Sequence, residues 1–172
     1  MAVREILFRG KREDNGEWIE GYLVRRPSAI QVGEHYSPWA IDRPPKDPDD
    51  SGEVRFVDGN TVGQFTGLTD KNGRKIFEGD AVLFADEEGI YPEEICSFSG
   101  VIMAAAGAFG IASIHGIPLS LKNWCDNDNF VSLWELYWNY DAEGNELHMV
   151  EVIGNVHDNP ELLEVHDVRT EL

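Results

Sequence analysis

The chain has 172 residues, 42% of them hydrophobic and 27% charged, and its 32 acids against 14 Lys and Arg give a formal net charge of −18. That length suits one good core or two small ones, and the composition is ordinary for a soluble globular protein. No stretch approaches the roughly 20 uninterrupted apolar residues of a membrane helix, and Met1-Ala2-Val3-Arg4-Glu5 lacks the apolar core of a signal peptide, so the expected location is the cytoplasm.

In chain order, residues 3 to 9 alternate imperfectly between apolar (Val3, Ile6, Phe8) and polar (Arg4, Glu5, Arg9). Asp14-Asn15-Gly16 then turns into Trp18-Ile19-Glu20-Gly21-Tyr22-Leu23-Val24, which predicts a β-hairpin. Residues 42 to 52 combine three prolines with four acids between Asp42 and Gly52. Such a stretch cannot bury enough apolar surface to order itself and is expected to be a mobile surface loop. Strands are expected again around Val54-Arg55-Phe56-Val57 and from Thr61 to Phe65.

Asp70-Lys71-Asn72-Gly73 is the strongest turn signal in the chain, an Asp able to bond its own backbone followed by Asn-Gly. Ile76-Phe77 follow, then a second polar turn at Glu78-Gly79-Asp80, then the strand-like Ala81-Val82-Leu83-Phe84. A hairpin, a corner and a new strand in about twenty residues is how small β-barrels begin.

The run from Val62 to Val82 resembles the central signature of the YopX family of bacteriophage and prophage proteins. Two further stretches resemble its opening and closing phrases: Arg4 to Lys11 continued by Gly16 to Leu23, and Glu151-Val152-Ile153-Gly154-Asn155-Val156-His157-Asp158-Asn159-Pro160-Glu161-Leu162-Leu163. The resemblance implies a mostly β fold and a phage origin, and it brings no catalytic residues.

Gly100 to Ile114 carries no charge and is too short and glycine-rich to span a membrane. Two buried strands with a bend near Gly107-Ala108 are expected, since glycines there would weaken one long helix by roughly 1 kcal/mol each. Leu133 to Tyr140 reads as a strand with Trp134, Leu136, Trp138 and Tyr140 on one face, although Trp134 and Trp138 are also at helical spacing. Asp141 to Glu146 is a turn leading into His148 to Gly154, and Asn159, Pro160 and Glu161 start a short closing helix.

Charge divides unevenly. Residues 1 to 32 hold six bases and five acids, whereas residues 76 to 168 hold eighteen acids and one base, Lys122, for a net of −17. Nucleic-acid binding needs cations to neutralise phosphates, so direct contact with a duplex is disfavoured. A protein with a basic surface is the partner such a field would steer in; a plain solubilising shell is the simpler reading.

Chemistry is poorly marked. His35, His115, His148, His157 and His166 show no metal-ligand spacing, and Cys96 and Cys125 form no C-x-x-C pair and are expected to be reduced. Asp70-Lys71-Asn72-Gly73 and Asp126-Asn127-Asp128-Asn129 lack the glycine and glutamate positions of a calcium loop and read as turns. No phosphate cradle, nucleophile with a base, or distinctive carboxylate pair stands out.

The expected fold is therefore all-β with a minor helical part. A small N-terminal β unit, residues 1 to 58, packs on an SH3-like barrel, residues 59 to 157, followed by a terminal helix within 59 to 172. No cofactor or metal is expected. The expected role is a non-catalytic interaction module whose binding face is Trp134, Tyr137 and Trp138 with the acids Glu78 and Asp80; the alternative is an acidic nucleic-acid mimic occupying a host DNA-binding protein. Of the aromatics Trp124, Trp134, Tyr137, Trp138 and Tyr140, most are expected to fill the barrel, with at least one of Tyr137 and Trp138 accessible.

Overall fold

A computed structural model describes residues 5–25, 38–86, 96–105, 107–114, 129–139, 142–144 and 146–163. Trp124, Cys125, Tyr140, His35, His115 and His166, with expectations attached to them, lie outside the described residues. The chain divides into two compact units, Met1–Gly67 and Leu68–Leu172. The division falls inside the strand Gly63–Asp70.

The first unit is built from β1 (Phe8–Lys11), β2 (Trp18–Arg25), β3 (Trp39–Arg43), β4 (Glu53–Phe56) and the start of β5 (Gly63–Asp70). The order is β5-β1-β2-β3-β4 with every neighbour antiparallel, so the predicted first hairpin sits at its centre. Alternation along β2 buries Ile19 and Gly21 and exposes Glu20 and Tyr22, as a half-buried strand requires. Ile19, Ile41 and Val57 form the core with Phe8, Leu23, Trp39 and Val62 against them. The sheet curls far enough for Arg12 to bridge Val57, flanked by Asp58 N–H donating to Lys11 O and Glu13 N–H to Phe56 O. Trp18 carries Arg9 and Lys11 over its ring, at 4.8 and 5.6 Å from the centroid, and Trp39 carries Arg25 at 5.7 Å.

Within the loop from 42 to 52 one carboxylate gathers several donors. Asp50 accepts from the Arg43 guanidinium at 2.5 and 3.1 Å and from the main-chain N–H of Lys46 and Gly52. Polar bonds to one carboxylate replace the missing core.

The second unit contains the end of β5, then β6 (Lys75–Phe77), β7 (Asp80–Asp86), β8 (Cys96–Ala105), β9 (Ala108–Ser113), β10 (Phe130–Ser132), α1 (Leu133–Asn139), β11 (Ala142–Glu143), β12 (Glu146–Leu147) and β13 (Val150–Asn155). Its main sheet is antiparallel in the order β10-β9-β8-β7-β13. No closed barrel forms among the described residues, so the expected SH3-like barrel is here an open five-stranded sheet. Phe84, Phe98, Ile102, Ile111, Val131, Leu133, Leu136, Val150 and Val152 share one core.

The uncharged run makes two strands, the end of β8 and β9, with Gly107 at φ +83° between them. That left-handed conformation strains any residue with a Cβ. Ile102 and Ile111 are buried as expected, but Met103, Ala104, Ala105 and Ala108 next to the turn are exposed. The β5–β6 hairpin closes over Asp70 to Arg74, with Gly73 N–H donating to Asp70 O and Asp70 N–H to Arg74 O. The closing helix is a single 3-10 turn, Pro160–Leu163.

Candidate functional site

Leu133 to Asn139 is a helix, where a strand was expected. Ser132 Oγ accepts from the Trp134 N–H at 3.2 Å, which satisfies one of the donors that a helix start leaves free. Ser132-Leu133-Trp134-Glu135 has the Ser-x-x-Glu pattern of a capping box, and Val131 and Leu136, both in the core, stand at the positions of a hydrophobic staple. Leu133 and Leu136, three apart, are 2% exposed. On a strand, Leu136 would share its face with both tryptophans; on the helix it parts from them.

The opposite face is aromatic. Trp134 is 65% and Trp138 64% exposed, their ring centroids 5.3 Å apart and inclined at 68°, the edge-to-face arrangement that ring quadrupoles favour. Tyr137 stands edge-on to Trp138 at 5.7 Å, and its hydroxyl donates to Gly144 O at 2.9 Å. The helix is thus tied by its tyrosine to the β11–β12 turn while both indoles reach solvent. These two tryptophans are surface residues, not the interior filling that was expected for most of the aromatics, and Trp138 meets the expectation of accessibility.

Of the two acids assigned to the same face, Asp80 does not reach the surface: one carboxylate oxygen accepts from Phe77 N–H at 2.8 Å and the other lies 3.5 Å from the side-chain amide of Asn155. A turn carboxylate able to reach the main chain three residues back is withdrawn from solvent, so Asp80 is removed from the candidate face. Glu78, in the same turn, is half-buried.

Sequence reading missed what Asp70, Asp80 and Asn155 do together. Asp70 Oδ1 accepts from the N–H groups of Asn72 and Arg74, and its Oδ2 from Val152 N–H across 82 residues of sequence. Lys71 N–H donates to Val150 O and Val156 N–H to Gly79 O. Asn155 pairs with Asp80 in the β7–β13 ladder and accepts from His157 N–H. The central signature and the closing phrase therefore meet as a clamp of buried polar groups around β13. No three His, Cys, Asp or Glu side chains among the described residues are grouped to hold a metal ion.

The run from the first hairpin to the closing 3-10 turn lies within residues 7–164, which match the family described as YopX protein. The chain belongs to the YopX family. The crystal structure of protein EF1440 from Enterococcus faecalis is 24% identical to this YopX-family chain, with 94% of this chain and 100% of that one covered at a TM-score of 0.44. No curated protein matches. No helix among the described residues is long and apolar enough to cross a membrane.

Proposed function

We propose that this YopX-family chain is a non-catalytic interaction module, made from phage or prophage in the bacterial cytoplasm, that binds a protein with a basic surface. The observation that supports this reading is the Trp134–Trp138 pair, 65% and 64% exposed, in a segment with eighteen acids and one base. Indoles held out in water contribute nothing to the core, whereas tryptophan is among the residues most enriched where binding energy concentrates. The surrounding negative field brings a cationic surface in and sets its approach. Short-range aromatic contact and long-range steering then act on the same partner.

The test is capture from bacterial lysate on the immobilised chain at low and high salt, beside the Trp134→Ala/Trp138→Ala variant, followed by direct binding of the retained protein after purification. A basic protein held at low salt, released at high salt and weakened by the double variant is expected. Retention of nothing at either salt, or of a partner indifferent to both changes, overturns the reading. If duplex DNA competes for the partner, the module acts as the nucleic-acid mimic.

A further inference from the structure

The described tryptophans of the two units differ in what lies over them. In the first unit Trp18 has Arg9 and Lys11 within 6 Å of its ring centroid, at 4.8 and 5.6 Å, and Trp39 has Arg25 at 5.7 Å. On α1, no cation among the described residues lies over Trp134 or Trp138, and from 76 to 168 the sequence supplies one base, Lys122, against eighteen acids. The face of an indole attracts a cation through its quadrupole, and this pair presents two indoles to solvent within a segment of net charge −17.

We infer that the Trp134–Trp138 pair is the seat of an arginine side chain supplied by the partner's basic surface, an inference that rests on the interaction reading above. Guanidinium fits this geometry better than ammonium. It is planar and weakly hydrated, so it can lie flat on one ring, and the second indole, inclined at 68°, closes one side of the seat. Edge contact from Tyr137, itself fixed through Gly144 O, holds Trp138 in place before binding, so little ordering cost falls on the complex.

The test uses the full chain labelled with 15N and three short peptides of equal length: oligoarginine, oligolysine and neutral oligocitrulline. Oligoarginine is expected to shift the indole N–H signals of Trp134 and Trp138 at low salt. The Trp134→Ala/Trp138→Ala variant, with its fold verified by circular dichroism, is expected to lose roughly threefold to tenfold in affinity for oligoarginine and less for oligolysine. Trp→Phe at both positions should restore part of the loss, because a ring face returns. Salt-sensitive binding of oligoarginine that the double variant leaves unchanged overturns the arginine seat while the acidic-surface reading stands. Equal losses for arginine and lysine overturn the preference for guanidinium. Failure of every peptide to bind at low salt overturns both readings.

Discussion

Asp70 serves three main-chain N–H groups with one carboxylate, two in its own hairpin turn and one on β13. Replacing it with alanine leaves the Val152 N–H buried without an acceptor, and a buried donor so stranded costs roughly 1–3 kcal/mol. With the two turn bonds added, Asp70→Ala is expected to destabilise the fold by about 2–4 kcal/mol in chemical denaturation. Asp70→Asn should lose less, because one carbonyl oxygen remains, though it cannot serve both sides. An unchanged midpoint for Asp70→Ala would remove the clamp from the account of stability. By contrast, Trp134→Ala and Trp138→Ala remove exposed side chains, and each should shift stability by no more than about 0.5 kcal/mol. That contrast separates the residues that hold the fold from those free to bind.

At the scale of elements, α1 was the part of the candidate site hardest to read. Its seven residues are too few for periodicity to decide between strand and helix, and a row of aromatics favours strand on propensity. The deciding signals were local: Ser132 with Glu135 three residues later, and Leu133 with Leu136. Ser132→Ala should therefore cost about 1 kcal/mol and loosen the Trp134–Trp138 contact, measurable as a change in tryptophan near-ultraviolet dichroism. No change in either would assign the helix to packing alone. The β elements were easier, because Asn-Gly, Asp-Asn-Gly and the glycine at 107 punctuate the chain where strands stop. In the 42 to 52 loop the local contacts are polar bonds to Asp50. There the Arg43 guanidinium, helped by the N–H groups of Lys46 and Gly52, holds the Asp50 carboxyl well below the usual carboxylate range. A carboxyl that is a stronger acid when folded adds stability above the ordinary Asp range of about 4 and loses it as pH falls toward the depressed value. The Lys46 and Gly52 amide resonances are accordingly expected to keep their folded positions at about pH 4 and to move only in stronger acid. Arg43→Gln should bring that transition up toward the ordinary range; a wild-type transition already there would contradict the staple.

Across the whole molecule, what the sequence displays most openly is the framework of the fold. The phrases that resemble the YopX family are strands and the turns between them, with Asp70, Asp80 and Asn155 turned inward on main chain. They therefore announce a fold and leave the activity unmarked. Charge is the exception, since it needs no fold to be read. Residues 76 to 168 carry a net of −17, and like charges at that density repel one another more in the compact state than in an expanded chain. Salt shortens the range of that repulsion to about 10 Å at 0.1 M. The thermal midpoint should consequently rise by a few degrees, about the 2–4 °C that 1 kcal/mol produces in a chain of this size, as sodium chloride goes from about 10 to 300 mM. The same salt should weaken binding of a basic partner, so stability and affinity are expected to move in opposite directions in one titration. If the midpoint falls instead, ion pairs such as Lys71 with Glu151 at 2.6 Å outweigh the repulsion, and the anionic field is too well compensated locally to steer a partner.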